Sequence, residues 1–150
     1  MGKVLIVEDN EDLRFSICDL VKRAGHKPFA AENGAAGLHL LESQVIDLVF
    51  LDIGLPDANG IELIRVIHDI APDVDIVMLT GNDDARSAVD SLKSGAVDYI
   101  LKPFDLVEFR HVLNRLMAGR LSARQETLAS REKSESLNLM GNSRGMIQLK

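Results

Sequence analysis

The chain is poor in cysteine, proline and aromatic residues: its 150 residues include one Cys, four Pro, one Tyr and no Trp. The single cysteine, Cys18, cannot form an internal disulfide, which excludes a disulfide-stabilised secreted scaffold. No apolar run approaches the roughly 20 residues of a membrane span, and residues 1–3 lead into a strand pattern rather than a signal peptide. We therefore expect a cytoplasmic protein that does not enter a membrane.

Basic stretches are also absent. The chain has 17 Lys and Arg residues against 23 Asp and Glu residues, which gives a formal net charge of -6. Surfaces that bind nucleic acids need clustered positive charge, so we expect this chain to bind no nucleic acid. Its hydrophobic content of 46% is enough for the core of one ordinary domain.

Five short apolar runs, at residues 4–7, 26–31, 48–51, 74–79 and 97–101, alternate with segments of helical periodicity. This alternation predicts an α/β fold with a parallel sheet and right-handed crossovers. Five strands favour the doubly wound order 2-1-3-4-5, as in flavodoxin-like folds. The second run contains Pro28, which cannot donate to a strand ladder, so we expect this strand at an edge of the sheet.

Two helical segments lead to further expectations. The segment after residue 60 repeats isoleucines at positions 61, 64, 67 and 70, which predicts that this stripe is buried. His68 lies in the same segment and is expected on the helix surface. The segment at about 83–94 has few apolar residues, so we expect a weakly anchored helix there.

Polar residues stand at the ends of four of the predicted strands. Glu8 and Asp9 follow the first strand, Asp52 ends the third, Thr80 follows the fourth and Lys102 follows the fifth. In the order 2-1-3-4-5 these four strands are neighbours, so their side chains should meet at the carboxyl edge, where such sheets bind ligands. The alternative is that Asp52 only caps the turn after it, but four converging strand ends favour a site.

The charges of this predicted cluster indicate its chemistry. Three adjacent carboxylates repel each other and need positive charge nearby. Lys102 supplies one charge, and Mg²⁺, which prefers oxygen ligands, would supply more. Between a metal ion and an ammonium group, Asp52 would be positioned as a nucleophile toward a phosphoryl group.

Four segments carrying these residues also resemble a known family. They are residues 4–10 (Val-Leu-Ile-Val-Glu-Asp-Asn), 51–60 (Leu-Asp-Ile-Gly-Leu-Pro-Asp-Ala-Asn-Gly), 80–81 (Thr-Gly) and 98–104 (Asp-Tyr-Ile-Leu-Lys-Pro-Phe). In this order they resemble the motifs of receiver domains of two-component response regulators, over residues 3 to about 118. The resemblance implies a regulatory domain, rather than an enzyme with an external substrate, that receives a phosphoryl group from a sensor histidine kinase.

The resemblance assigns a role to each site residue. Asp52 would be the phosphoacceptor, and Glu8, Asp9 and the carbonyl group of Gly54 would hold Mg²⁺ beside it.

The remaining roles concern the response to phosphorylation. Thr80 and Lys102 would bind the phosphoryl group, Tyr99 would be the switch aromatic, and the Lys102–Pro103 peptide bond would be cis. The switch would act on a homodimer formed through the face of the fourth helix, the fifth strand and the fifth helix, and through the helical linker that follows.

The composition changes after residue 118. We predict a receiver domain at 1–118, a helical linker at 119–136 and the start of an AAA+ ATPase domain at 137–150. Residues 139–146 (Leu-Met-Gly-Asn-Ser-Arg-Gly-Met) resemble the opening of that domain in NtrC-type, sigma-54-dependent activators. This implies that the chain is part of a longer protein with ATPase and DNA-binding domains.

Three alternatives share part of the pattern. A phosphohydrolase resembling the haloacid dehalogenase family would carry Asp-x-Asp on its first strand, whereas the residue two after Asp52 is Gly54. A flavin-binding protein of this topology would need a phosphate-binding loop where the chain has Glu8 and Asp9. A degenerate receiver, acting only as an interaction module, would not need the complete set of site residues.

Overall fold

The computed structural model describes residues 2–81 and 85–119. The chain divides into two compact units, residues 1–114 and 115–150, and the described part of the second unit, residues 115–119, is helical. The predicted linker at 119–136 lies outside the described residues except for its first residue. The predicted ATPase-like segment at 137–150 lies wholly outside them, so both assignments stay predictions.

Strands and helices alternate through the described residues, with five of each. The strands are β1 (Lys3–Val7), β2 (Lys27–Ala31), β3 (Leu48–Asp52), β4 (Asp75–Gly81) and β5 (Asp98–Lys102). The helices are α1 (Glu11–Arg23), α2 (Gly34–Ser43), α3 (Gly60–Ile70), α4 (Ala85–Ser94) and α5 (106–119). None of the described helices has the length and apolar content needed to cross a membrane.

The strands form one parallel sheet in the order β2-β1-β3-β4-β5. This confirms the predicted doubly wound α/β fold and the edge position of β2. Residues 4–7 of β1 and 48–51 of β3 are at most 1% exposed, as expected for apolar strands that helices cover on both faces. The central strands therefore form the core that fixes the sheet.

The register of the sheet brings the strand ends together. Asp52 at the end of β3 pairs with Leu79 of β4, and Gly81 at the end of β4 pairs with Lys102 of β5. Because the strands are parallel, their carboxyl ends share one edge of the sheet. The residues that follow β1 reach the same edge.

N-capping side chains begin four of the helices, at distances of 2.7 to 2.9 Å from the backbone nitrogens they bind. The caps are Asn10, Asn33, Asn59 and Asp105. Each side-chain oxygen accepts a hydrogen bond from a backbone N–H group of the first turn, which has no partner within the helix. Each cap therefore fixes where the chain leaves a loop at the site edge and enters a helix.

The buried face of α3 differs from the predicted isoleucine stripe. Leu63, Ile64 and Ile67 are at most 7% exposed, whereas Ile70 is 36% exposed. A helix has 3.6 residues per turn, so a strict three-residue repeat drifts away from the core. The expectation of a buried Ile70 was wrong, and Leu63 takes part in the core instead.

Residues of α3 and α4 test two further sequence predictions. His68 is half-buried, and its Nε2 lies 3.3 Å from the carbonyl oxygen of Val74, so it is not the ordinary surface residue that was expected. In α4, Val89 and Leu92 are 49% and 41% exposed. This agrees with the prediction of a weakly anchored helix.

Gly60 begins α3 directly against the end of β3. A Cβ atom at this position would lie 2.5 Å from the carbonyl oxygen of Asp52 and 2.7 Å from the Cα atom of Ile53. Both neighbours are backbone atoms, which cannot move aside as a flexible side chain can. The return of the loop to the site edge therefore requires glycine.

We expect Gly60→Ala to lower the free energy of unfolding by about 1–3 kcal/mol, because the added methyl group forces the end of β3 and the start of α3 apart. Urea denaturation of the full chain measures this loss. Gly54→Ala is the control, because a Cβ atom there meets nothing within 4 Å. Equal denaturation midpoints for the two variants would contradict the close approach at Gly60.

Candidate functional site

Three acidic side chains meet at the carboxyl edge of the sheet. Carboxylate oxygens of Glu8, Asp9 and Asp52 all lie within 4.8 Å of one another. Glu8 is 0% exposed and Asp52 is 7% exposed, while Asp9 is exposed to solvent. The strand order thus places the predicted acids together, in an arrangement that could hold a metal ion.

Lys102 bridges the two buried acids. Its Nζ lies 2.6 Å from Oε1 of Glu8 and 3.2 Å from Oδ1 of Asp52. Burial, the largest influence, disfavours the charged ammonium, but the hydrogen bond with Glu8 and the charge of Asp52 outweigh it and raise the pKa of Lys102. Lys102 is therefore a permanent positive charge within the cluster.

Both carboxylate oxygens of Glu8 have partners. Oε1 accepts a hydrogen bond from Lys102, and Oε2 accepts one from the backbone N–H of Asn10 at 3.2 Å. Even so, burial raises the pKa of Glu8 from 4.5 to about 7, and the neighbouring Asp52 and Asp9 add to the rise. When no metal ion is bound, Glu8 is therefore partly protonated near neutral pH.

The other two acids differ in their surroundings. The neighbouring Glu8 carboxyl is the main cause of a lowered pKa at Asp9, so Asp9 keeps its charge when Glu8 is protonated. Oδ1 of Asp52 also accepts a hydrogen bond from the backbone N–H of Gly54 at 3.3 Å. Asp52 thus caps its own turn, as one alternative proposed, and lies within the charged cluster as well.

Thr80 and the residues of β5 complete the predicted set. Oγ1 of Thr80 is buried and has no hydrogen-bond partner among the described residues. An unsatisfied buried hydroxyl costs about 1–3 kcal/mol, so this group favours a ligand or a movement that would give it a partner. Tyr99 is half-buried against the core, and the Lys102–Pro103 peptide bond is cis, as the resemblance implies.

Arg14 supports the acidic turn, a role that no motif in the sequence indicates. Its Nη1 donates a hydrogen bond to the carbonyl oxygen of Glu8 at 2.8 Å. The contact reaches from the first turns of α1 back to the end of β1. The only signal in the sequence is a lone basic residue six positions after Glu8, which is not specific enough to identify it.

The arrangement combines two kinds of binding group. The clustered carboxylate oxygens suit a hard divalent cation. The ammonium group of Lys102 and the unpaired hydroxyl group of Thr80 suit an anion with several oxygen atoms. Both kinds of ligand would meet at Asp52.

Comparisons with known proteins show what the chain is similar to. The family model described as "Response regulator receiver domain" matches residues 4–114. Regulatory protein AtoC of Escherichia coli is 29% identical over 78% of this chain and 25% of its own length. Virulence transcriptional regulatory protein PhoP of Salmonella typhimurium is 35% identical over 87% of this chain and 56% of its own length.

A solved structure agrees with these sequence matches. The crystal structure of NtrX from Brucella abortus has a TM-score of 0.78 and 27% sequence identity, over 84% of this chain and 29% of that chain. The chain therefore spans between about a quarter and about half of the length of these relatives.

The raised pKa of Glu8 predicts how stability depends on pH. The folded protein keeps the Glu8 proton up to about pH 7, whereas an unfolded chain releases it near pH 4.5. The resulting stabilisation is fully present below the unfolded pKa and is lost as the pH rises through the folded one. Between pH 5 and pH 8, we expect the metal-free protein to lose about 2 kcal/mol more stability than Glu8→Gln.

Urea denaturation with a chelator, at a series of pH values, measures this difference. Burial lowers the pKa of His26, which has the opposite effect on stability in a similar pH range, but both proteins contain His26 and its contribution cancels. Parallel pH profiles for the wild type and Glu8→Gln would contradict the prediction.

Proposed function

The chain belongs to the family of response regulator receiver domains, and we propose that it is a phosphorylation-dependent switch. Asp52 accepts a phosphoryl group from a sensor histidine kinase, and Mg²⁺ is the cofactor. The observation that carries this proposal is the cluster of Glu8, Asp9 and Asp52 with Lys102 in contact with two of the three acids.

The oxygen ligands present fit Mg²⁺. Glu8, Asp9 and Asp52 offer carboxylate oxygens that lie close enough together to bind one small ion. The carbonyl oxygen of Gly54 would add a neutral ligand. Mg²⁺ binds through few protein carboxylates and keeps sites for phosphate oxygens. When bound, it neutralises charge on the transferring phosphoryl group.

The transfer itself requires little from the protein beyond position and charge. A side-chain oxygen of Asp52 forms a bond to phosphorus as the bond between phosphorus and the histidine nitrogen of the kinase breaks. A carboxylate nucleophile needs no general base. Lys102, 3.2 Å from Oδ1 of Asp52, stabilises the negative charge that the phosphoryl oxygens bring beside this carboxylate.

Phosphorylation then gives Thr80 a partner. The phosphoryl group brings three acceptor oxygens and about two negative charges, which replace the single charge of the free Asp52 carboxylate. The hydroxyl group of Thr80 and the ammonium group of Lys102 turn toward the new oxygens. A neutral hydrogen bond contributes about 1 kcal/mol and a charge-assisted one about 1.5–3 kcal/mol. The sum of the two contributions, roughly 2.5–4 kcal/mol, is below the roughly 5.5 kcal/mol that reverses a 1:99 equilibrium, so the shift is strong but incomplete.

The movement would pass to α4 and to the neighbouring surface. Tyr99 would repack inward as Thr80 leaves its place, and α4, which exposes Val89 and Leu92, would shift with little loss of packing. The face formed by α4, β5 and α5 would then be the surface through which two copies pair. The free energy of pairing would add to that of the contacts with the phosphoryl group, and would shift the equilibrium further toward the active conformation.

The output of the switch would lie in a longer protein. Residues 139–146 resemble the start of an AAA+ ATPase domain, and the chain covers only 25% of AtoC and 29% of the NtrX chain. In this proposal the receiver restrains or releases a sigma-54-dependent ATPase with a DNA-binding domain, in the cytoplasm. The receiver itself catalyses only its own phosphotransfer and dephosphorylation.

Incubation with acetyl phosphate and Mg²⁺ should add the mass of one phosphoryl group to the wild type and none to Asp52→Asn, because only a carboxylate at this position can form the acyl phosphate. Intact mass spectrometry measures the gain. Asp69→Asn, an exposed aspartate of α3, is the matched control and should react like the wild type. No gain in the wild type, with Mg²⁺ bound, would instead support a degenerate receiver that acts as an interaction module.

The dimer should respond to the phosphoryl group. We expect a phosphoryl analogue, beryllofluoride with Mg²⁺, to change the dimer dissociation constant at least about tenfold, equivalent to about 1.4 kcal/mol. Val89→Asp should remove this response, because it places a charge on the exposed face of α4.

Analytical ultracentrifugation measures the dissociation constants. Val45→Asp is the control, because Val45 is 78% exposed and lies in the loop between α2 and β3, away from the proposed interface. Equal dissociation constants with and without the analogue would rule out the dimer mechanism.

A further inference from the structure

Asp57 connects two loops that are distant in the sequence. It lies in the loop of residues 53–59 between β3 and α3. Its two carboxylate oxygens accept hydrogen bonds from the backbone N–H groups of Gly34 at 2.8 Å and Ala35 at 3.0 Å. These are the first two residues of α2. One exposed side chain therefore ties the loop that follows Asp52 to the start of another helix.

This contact completes the N-terminus of α2. Asp57 accepts hydrogen bonds from the first two backbone N–H groups of the helix. Asn33 accepts hydrogen bonds from the next two, through its side-chain oxygen at 2.8 Å and its carbonyl oxygen at 3.2 Å. The first turn of α2 has no acidic residue of its own. Asp57 therefore supplies the negative charge that the positive end of the helix dipole favours.

The base of the same loop is held by backbone contacts. The N–H group of Gly60 donates to the carbonyl oxygen of Ile53 at 3.0 Å, and Gly54 forms an isolated bridge with Asn59. Leu55, 8% exposed, anchors the first half of the loop in the core. With Asp57 holding the second half, the loop is fixed at three points.

Gly54 depends on these backbone contacts more than its neighbours do. It is exposed, and a Cβ atom on it would meet nothing within 4 Å, so no packed side chain supports it from that direction. Its carbonyl group is the uncharged member of the proposed ligand set. An uncharged ligand contributes more to the free energy of binding if the loop that carries it does not have to be ordered at the same time.

We propose that Asp57 is a positioning residue for the metal site: by tying the loop 53–59 to α2, it fixes the backbone at Gly54 before the cation binds. This inference rests on the proposed function, because it assumes that Mg²⁺ binds at the acidic cluster. The hydrogen bonds from Gly34 and Ala35 also lower the pKa of Asp57, so the contact persists well into the acidic range.

Coupling between two sites is reciprocal. If the contact of Asp57 with α2 favours cation binding, then cation binding strengthens the contact. Hydrogen exchange at the amides of Gly34 and Ala35 should therefore slow when Mg²⁺ is added to the wild type. This readout does not depend on phosphorylation.

The test compares Mg²⁺ affinity among Asp57→Ala, Asp57→Asn and the wild type, by calorimetric titration of the full chain with Mg²⁺ alone. Asp57→Ala loses both hydrogen bonds, and we expect its dissociation constant for Mg²⁺ to rise about 3- to 10-fold. Asp57→Asn keeps one acceptor oxygen and should give an intermediate value. Asp69→Ala and Asp69→Asn remove the same charge from the exposed side of α3 and should match the wild type.

A second readout separates positioning from folding. In acetyl phosphate labelling, the Asp57 variants should need more Mg²⁺ for half-maximal rate but reach a rate within about twofold of the wild type at saturating Mg²⁺. A lowered melting temperature with unchanged Mg²⁺ affinity would overturn the proposal, because Asp57 would then only cap α2. If both Asp57 variants lose the same Mg²⁺ affinity and the loss disappears at high salt, the proposal is also overturned, since the missing negative charge alone would explain the loss.

The wild type provides the remaining distinction. If it binds no Mg²⁺, the proposed function fails and the inference fails with it. If it binds Mg²⁺ with the same affinity as Asp57→Ala, the proposed function stands and only the role of Asp57 is overturned.

Discussion

The contact of Lys102 with Glu8 and Asp52 is the interaction on which the site depends. Two carboxylates buried at 0% and 7% exposure repel each other, and burial penalises the charge of each. One ammonium group, 2.6 Å from one acid and 3.2 Å from the other, makes this arrangement possible. The rest of the fold supplies what this contact requires: a parallel sheet that ends β3 and β5 at the same edge.

Much of this could be predicted from the sequence because the signals are local or repeated. Apolar runs of strand length, separated by helical periodicity, specify the alternation, and alternation restricts the topology to a few orders. Once the order 2-1-3-4-5 is chosen, the convergence of Glu8, Asp52, Thr80 and Lys102 follows from geometry. The caps Asn10 and Asp105 are local features of the same kind, because a cap acts within four residues of its own position.

The contacts that sequence analysis missed are long-range or depend on side-chain packing. Asp57 binds α2 across 22 and 23 residues, and no pattern within the loop indicates that partner. His68 is half-buried and its ring contacts the carbonyl oxygen of Val74, although its position in the helix predicted an exposed side chain. In α3 the three-residue repeat of isoleucines predicted that Ile70 is buried. Because the helix has 3.6 residues per turn, Leu63 faces the core and Ile70 is exposed. In each case tertiary packing decided what local pattern could not.

The site is rigid on one side and loosely held on the other, and this difference suits a switch. Arg14 and Asp57 tie down the loops after β1 and β3, which present the acids and the proposed phosphoacceptor, Asp52. Thr80 is buried without a partner among the described residues, and α4 beyond it leaves Val89 and Leu92 exposed. Since a ligand shifts an equilibrium only by its differential affinity for the two states, the free energy of phosphorylation should act mainly on the Thr80 side. In the proposed switch, a fixed acidic side would let the new hydrogen bonds of Thr80 and Lys102 move α4, because they would not be spent on rearranging the acids.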